Sequence, residues 1–257
     1  MKYITSLFFM LAVASGVSRA QSDSSPSVMQ ALMQAATSAT LSDAQVVELS
    51  RESIKEMDAK NPVAAANDSY TLRLNKIVSR HQTIGGLPLN YKVYKVPDVN
   101  AFATADGSVR VFKGLMDIMT DDELLAIMGH EIGHVINHDS RDAMKSSLNR
   151  SAIRNLFGST SGAIGKLSRS QLGAAADYLL GAKFSRNQET EADDYSYDFL
   201  KKNGYNVMAL ATSFEKLAKQ SGGGQGGKVA AIVSTHPDSA SRAQRVRDRA
   251  KRDGLAR

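Results

Sequence analysis

TDDELLAIMGHEIGHVI, residues 120–136, combines a helix-start signal with a long apolar run. Thr120 and Glu123 have the spacing of a capping box, in which each side chain bonds the backbone N–H of the other residue at the start of a helix. Apolar residues then follow on more of the helix surface than a solvent-exposed helix carries. The stretch therefore predicts a capped helix that is buried at the centre of the molecule.

Three ionisable side chains interrupt this apolar helix: His130, Glu131 and His134. Residues four apart share a helix face, so both imidazoles can converge on one metal ion, with Glu131 beside it to take a proton from water. Burying these groups without such a purpose would cost free energy. The pattern predicts His130 and His134 as metal ligands and Glu131 as general base. Since the chain has no cysteine, every ligand must be a histidine or a carboxylate.

A third protein ligand is needed, and the residues directly after the motif do not provide it. His138 lies eight residues beyond His130, roughly 12 Å along the helix axis. That separation is too large for bonds of about 2 Å to a shared ion, so His138 is interpreted as a residue of the helix end. A metzincin motif would need glycine at 137 and histidine at 140, where the chain has Asn137 and Ser140.

Two carboxylates on a later predicted helix, residues 185–203, remain as candidates. Glu189 and Asp193 are four residues apart and share a face, whereas Glu191 lies about 200° round the helix from Glu189. One carboxylate can bind the metal while the other accepts a hydrogen bond from the outer nitrogen of a ligating histidine. The spacing alone leaves open which of the two is the ligand.

The rest of the chain predicts an α+β fold that is mostly helical, with a small antiparallel sheet beside the buried metal-binding helix. An Asp106-Gly107 turn between two short strands predicts a hairpin. The composition of residues 221–228 predicts a loop. Helical periodicity covers residues 28–60, 68–81, 185–203, 207–220 and a segment from about 239, and alternation predicts strands at 90–96, 101–104 and 109–112.

The domain organisation follows from the two ends of the chain. Residues 1–20 are expected to form a signal peptide, because Lys2 precedes an apolar stretch, residues 4–17, and a small residue ends the segment at Ala20. The apolar stretch is shorter than the ~20 residues that span a bilayer. Residues 21–60 are expected to be an N-terminal segment, disordered and then helical, and residues 61–257 the metal-binding domain.

Other classes of protein are disfavoured by the charge pattern. The net charge is +6, and the one dense basic run, residues 242–257, lacks the aromatic residues of a nucleic-acid surface. That run is interpreted as the solvated face of a helix. A GxxxxGK pattern at residues 222–228 is followed by Val229, where a phosphate-binding loop needs serine or threonine, so it does not predict nucleotide binding.

The motifs together are recognisable. The His130–His134 motif, the Ser185-Arg186-x-x-Glu189-x-Glu-Ala-Asp193 run and Ser234-Thr235-His236-Pro237 resemble the HtpX/BepA-like family of gluzincin metallopeptidases. The resemblance extends from about residue 41 to the C-terminus. It implies a zinc endopeptidase that holds one Zn²⁺ per chain with His130, His134 and Glu189, uses Glu131 to polarise water, and leaves Asp193 as the outer carboxylate.

The resemblance also implies two further features of the site. Asn100, Ala101, Phe102 and Ala103 are expected to form an edge strand along which an extended peptide pairs. His236 is expected to approach the zinc, either to donate a hydrogen bond to the oxyanion or to occupy the open position of the metal and silence the enzyme. We hypothesise the blocking role, because the glycine-rich stretch before His236 can let it leave the metal.

The implied function is hydrolysis of polypeptides in the bacterial periplasm, with misfolded or unassembled envelope proteins as substrates. Related envelope proteins end their signal peptide in a lipidated cysteine and carry an internal cysteine pair, whereas this chain has no cysteine. Lipid anchoring is therefore excluded, no transmembrane anchor is expected after signal cleavage, and peripheral association with the membrane or its assembly machinery stays open. The alternative is a non-proteolytic envelope chaperone or binding protein with a structural metal, although such a site needs no general base.

Overall fold

The computed structural model describes residues 43–148, 169–222 and 226–256, so the predicted signal peptide and residues 21–42 lie outside the described residues. Within the described residues the helices are α1 Asp43–Lys60, α2 Ser69–Ile77, α3 Lys113–Ile118, α4 Asp121–Ile136, α5 Asp139–Leu148, α6 Arg169–Gly181, α7 Arg186–Lys202, α8 Met208–Gly222, α9 Gly226–Thr235 and α10 Ser239–Arg252. The strands are β1 Thr83–Ile84, β2 Leu87–Pro88, β3 Asn90–Tyr94, β4 Ala101–Ala103 and β5 Ser108–Phe112. The predicted class, α+β and mostly helical, is confirmed.

The larger sheet has the strand order β3-β5-β4. Strands β4 and β5 form the predicted antiparallel hairpin, with Phe102 opposite Arg110. Strand β3 pairs with β5 in parallel, so this sheet is mixed rather than wholly antiparallel. The cause is topological: β4 turns back into β5 on one side, and β3, which precedes β4, joins the other side of β5. Strand β4 is thereby left at an edge of the sheet.

Helix α4 is the buried central helix that its sequence predicts. Both hydrogen bonds of the capping box between Thr120 and Glu123 are present, and every residue from Glu123 to Val135 is buried. The helix packs against α7, α8 and strand β4. The fold therefore surrounds the histidine motif on several sides and positions it within reach of two other helices.

Two glycines of α4 allow helix α7 to approach closely. A Cβ atom on Gly133 would lie 3.0 Å from the Cα of Ala192, and one on Gly129 would lie 2.9 Å from the hydroxyl of Ser196. That hydroxyl donates a hydrogen bond of 2.7 Å to the carbonyl of Ala126 on α4. Because the helices meet at small residues, the carboxylates of α7 reach the histidines of α4.

Helix α1 is joined to the larger sheet by a partly buried charge cluster. Asp58 accepts hydrogen bonds from Nε and Nη2 of Arg110 at 2.8 and 3.0 Å, from the hydroxyl of Tyr94 at 2.7 Å and from the ammonium of Lys92 at 2.7 Å. Burial alone would raise the pKa of Asp58, but these hydrogen bonds outweigh it and lower the pKa. The ionised carboxylate is therefore part of the folded structure.

Helix α9 departs from the sequence-based expectation. It begins at Gly226 and α8 ends at Gly222, so the loop predicted for residues 221–228 is wrong over residues 221–222 and 226–228, and residues 223–225 lie outside the described residues. Val229 and Ile232 are buried in the main core and hold this segment in place, and such packing overrides the weak helix propensity of glycine. Among the described residues, no helix has the length and apolar character needed to cross a membrane.

Candidate metal centre

Four buried side chains converge at the centre of the molecule. His130 and His134 come from α4, Glu189 from α7, and His236 directly follows α9; one potential ligand atom of each lies within 4.8 Å of the others. The Nε2 atoms of His130 and His134 are 3.2 Å apart. Oε1 of Glu189 lies 3.4 Å from Nε2 of His134. The structure thus brings together the three residues proposed as ligands from the sequence.

This donor set fits a metal ion of the zinc class. Two imidazole nitrogens and one carboxylate are the protein ligands of many catalytic zinc sites, in which a further position is left for water or substrate. Burial and then the positive charge of Arg242 lower the pKa of His130 to about 3. The imidazole is therefore neutral near pH 7, which is the form that binds metals.

Each histidine of α4 has a carboxylate at its outer nitrogen. Oδ1 of Asp193 lies 3.0 Å from Nδ1 of His130, and Oδ2 of Asp139 lies 2.8 Å from Nδ1 of His134. Carboxylates at these positions fix the tautomer so that Nε2 can bind a metal. For His134, burial lowers the pKa, but hydrogen bonds with Asp139 and Glu189 outweigh burial and raise it.

Asp139 is a site residue that the sequence analysis missed. His138 is exposed and adopts a left-handed conformation with φ 69° just after α4, as expected for a residue of the helix end. This turn starts α5 at Asp139 and directs its carboxylate back to His134. Histidine is enriched among residues with positive φ, so a histidine just after a helix end indicates a sharp turn. That turn is the local signal from which Asp139, the next residue, could have been predicted to point back to His134.

Glu131 lies beside the ligand cluster and is 4% exposed. Burial raises its pKa to about 7, with the charge of Glu189 adding to the effect and His236 opposing it. A general base works best when its pKa lies near the operating pH. Oε1 of Glu131 lies 3.6 Å from Nε2 of His236, so both side chains face the same space.

Arg242 is the second site residue that sequence reasoning missed. It opens the basic run that was interpreted as a solvated face, yet it is 7% exposed and lies against Asp193 and Glu189. The interpretation is therefore wrong at this position, although Lys251 and Arg252 of the same helix are exposed. Charge alone does not distinguish a buried arginine from its exposed neighbours.

A narrow cleft connects the ligand cluster with strand β4. Its volume is about 20 Å³, which is room for about one water molecule. One wall is apolar and includes Phe184, whose ring stacks on His134 with centroids 3.8 Å apart. The lining residues are Asn100, Ala101, Phe102, Ala103, Glu131, Ser140, Leu179, Leu180, Ala182, Phe184, Thr235 and His236.

The chain is similar to several named metalloproteases. It is 44% identical over 253 residues to "Metalloprotease LoiP" of Escherichia coli (strain K12), an alignment that covers 98% of this chain and 99% of that protein. It is 46% identical over 212 residues to "Metalloprotease YcaL" of the same organism, covering 82% of each chain. The "Beta-barrel assembly-enhancing protease" of that organism is 27% identical over 223 residues, which are 82% of this chain and 45% of that protein.

The model of Peptidase family M48 matches residues 68–250, which include all four residues of the ligand cluster. The resemblance inferred from the motifs is confirmed by this match and by the relatives, and so is the assignment of the protein as a metallopeptidase. The chain belongs to peptidase family M48.

Proposed function

We propose that this chain is a zinc-dependent endopeptidase of the bacterial envelope. His130, His134 and Glu189 hold one zinc ion per chain, and Glu131 is the general base. The observation that supports this proposal is the buried convergence of two imidazole Nε2 atoms and a carboxylate oxygen directly beside Glu131. A purely structural zinc site would need no neighbouring base, whereas Glu131 lies beside this cluster and faces His236.

The reaction is the addition of water across a peptide bond. A bound zinc ion would supply the Lewis acidity that makes water a nucleophile near neutral pH. Glu131 accepts a proton from the attacking water and gives it to the amine nitrogen when the C–N bond breaks, so the hydroxyl ends on the acyl product and both protons of the amine are accounted for. Asp193 and Asp139 keep the two imidazoles oriented throughout.

The substrate is proposed to bind along strand β4. One side of Ala101–Ala103 pairs with β5, and the cleft that contains Glu131 borders the same residues. An extended peptide added at this edge would form backbone hydrogen bonds as a further strand. Because the cleft has room for about one water molecule, it must widen before a peptide can lie there.

His236 is proposed to block the metal at rest. Its Nδ1 atom lies 2.9 Å from Oε1 of Glu189 and 3.3 Å from Nε2 of His130, so it belongs to the same group of ligand atoms. It is attached to the C-terminal end of α9, where its N–H donates to the carbonyl of Ile232. A stabiliser of the oxyanion would occupy a similar place, and the two roles differ in the sign of their effect on activity.

The proposed location is the periplasm, with residues 1–20 as a removable signal peptide, residues 21–60 as an N-terminal segment and residues 61–257 as the peptidase domain. The charged, apolar and small residues at 2–20 support this proposal. So does the name of one relative, the β-barrel assembly-enhancing protease. Misfolded or unassembled envelope proteins are the proposed substrates, and cell fractionation with an antibody against the chain tests the location.

The proposed function is tested by elemental analysis together with peptide cleavage. The purified protein should contain about one zinc per chain, should cleave unfolded casein, and should lose and regain that activity on chelation and zinc addition. A zinc-loaded protein that suppresses aggregation of an unfolded client but cleaves no peptide would favour the chaperone alternative. A protein without bound metal after incubation with zinc would contradict both.

A further inference from the structure

Arg242, in the first turn of α10, contacts two carboxylates of the site at once. Its Nη2 atom lies 2.6 Å from Oδ1 of Asp193 and its Nε lies 3.0 Å from Oδ2, which is a two-pronged hydrogen-bonded pair. Its third nitrogen, Nη1, lies 2.5 Å from Oε2 of Glu189. One guanidinium therefore spans the carboxylates that are four residues apart on α7.

The surroundings hold this guanidinium in one orientation. Arg242 is 7% exposed, and its central carbon lies 4.1 Å from the centre of the Phe214 ring. Arginine has a flat fork that binds a carboxylate through two parallel hydrogen bonds while its plane stacks on an aromatic face, and the ammonium of lysine has no such fork. The contact between Arg242 and Glu189 is an ion pair without the angle of a hydrogen bond. The two hydrogen bonds to Asp193 therefore set the orientation of the guanidinium.

The two oxygens of Glu189 have different neighbours. Oε2 lies against the guanidinium and 3.6 Å from Nε2 of His130, whereas Oε1 lies 3.4 Å from Nε2 of His134 and 2.9 Å from Nδ1 of His236. The Oδ1 atom of Asp193 that accepts from Arg242 also lies 3.0 Å from Nδ1 of His130. A single side chain thus orients both the carboxylate within the ligand cluster and the carboxylate behind it.

We propose that Arg242 is a positioning residue of the metal site, which fixes the orientation of Glu189 and Asp193 and thereby sets the affinity and ligand geometry of the metal. The inference rests on the metal site proposed above. Residues behind the ligands of a metal typically change its affinity by 10–100-fold when they are replaced. The effect requires the fork of arginine and not its charge alone.

The test compares Arg242→Met and Arg242→Lys with the wild type. Zinc affinity is measured by competition with a coloured chelator, and the visible spectrum of the cobalt-substituted protein reports the ligand geometry. We expect Arg242→Met to bind zinc 10–100-fold more weakly with shifted cobalt bands. Arg242→Lys keeps the charge and should recover only part of the zinc affinity, with the cobalt bands still shifted. If Arg242→Met does not fold, the result for Arg242→Lys decides the test.

Arg249→Met is the matched control. Arg249 lies on the same helix, with its central carbon 4.1 Å from the ring of Tyr197, and pairs with Asp194 and Asp198 of α7 outside the ligand cluster. It should leave zinc affinity and the cobalt bands unchanged. Wild-type affinity and bands in both Arg242 variants, or an equal loss in Arg249→Met, would overturn the inference. A wild-type protein that binds no zinc would instead overturn the proposed metal site.

Discussion

Gly133 of helix α4 lies against Ala192 of helix α7 so closely that a Cβ atom would come within 3.0 Å of both the Cα and the carbonyl oxygen of Ala192. The contact lies beside the proposed metal site, since the next residue on α4 is the proposed ligand His134 and the next on α7 is Asp193, whose carboxylate lies 3.0 Å from Nδ1 of His130. The distance between these helices therefore also sets the distance between the imidazoles and the carboxylates.

Gly133→Val should push α7 away from α4, because its added carbons meet backbone atoms that cannot rotate aside. Overpacking of this kind costs about 1–3 kcal/mol of unfolding free energy, and zinc affinity should fall with it. Urea unfolding and zinc titration measure the two effects. Gly227→Ala is the control, because nothing lies within 4 Å of its added carbon, and a similar loss of zinc affinity in that variant would contradict the explanation.

Glu131→Gln should abolish cleavage while zinc content and unfolding free energy stay close to those of the wild type. Proton transfer by a positioned base contributes roughly 10²–10⁴-fold to the rate, so kcat should fall by at least that factor on a short peptide. Glu191→Gln, an exposed position on α7, serves as the control and should retain full activity. Wild-type cleavage by purified Glu131→Gln would exclude Glu131 as the base.

Glu189→Ala should reduce zinc affinity strongly, whereas Glu191→Ala should not, because only Glu189 lies in the ligand cluster. Asp193→Asn should have a milder effect, within the 10–100-fold expected of a residue that orients a ligand. Elemental analysis after dialysis against a graded chelator separates these cases. Equal zinc content in the Glu189 and Glu191 variants would refute the choice of ligand, and complete metal loss in Asp193→Asn would make Asp193 a ligand itself.

His236→Ala distinguishes the two roles proposed for His236. If His236 blocks the metal, removing it should raise the basal rate on a short peptide, and this is the result we expect. Loss of an oxyanion donor would instead lower kcat by roughly 10²–10³-fold. Thr235→Ala, a change in the preceding residue of α9, controls for disturbance of the helix end. An unchanged rate in His236→Ala would assign His236 neither role.

Asp58→Asn should destabilise the protein at neutral pH by about 1–3 kcal/mol, because asparagine supplies neither the negative charge nor the second carboxylate oxygen that face the buried Arg110 guanidinium. The folded state lowers the pKa of Asp58. Its contribution is therefore fully present above the unfolded pKa of about 4 and is lost as the pH falls through the lower folded pKa. Urea unfolding at several pH values should show the gap between wild type and variant closing in acid.

Glu48→Gln on the same helix is the comparison for Asp58→Asn. Glu48 pairs with Arg51 at the surface, where both side chains are more than 40% exposed, and such pairs contribute about 0–1 kcal/mol. Its unfolding free energy should follow the wild type at every pH. If the difference in unfolding free energy between the wild type and Asp58→Asn stays constant down to pH 2, the ionised carboxylate of Asp58 does not contribute to stability.

Local signals in the sequence were enough to predict much of the fold. The capping box that starts α4 involves residues three apart, and the turn at Gly107 is fixed by a positive φ that favours glycine. The convergence of His130 and His134 follows from the period of one helix. These predictions needed no knowledge of distant parts of the chain.

The features that escaped prediction depend on long-range contacts. Strand β3 pairs in parallel with β5, although β4 separates the two strands in the sequence. No residue of β3 indicates this parallel pairing. Arg242 is buried because it contacts both Asp193 and Glu189, whereas Arg252 of the same helix is exposed. Helix α9 exists because Val229 and Ile232 are buried in the core. In each case tertiary packing decided between states that the local sequence left close in energy.

The burial of strand β4 bears on association between copies of this protein. An open sheet edge offers unpaired N–H and C=O groups with which another chain can align, and proteins at high concentration aggregate along such edges. All three residues of β4 are buried, and Leu179 and Leu180 of α6 line the cleft beside them. A cleft with room for about one water molecule leaves a strand of a neighbouring molecule as little space beside β4 as it leaves a peptide.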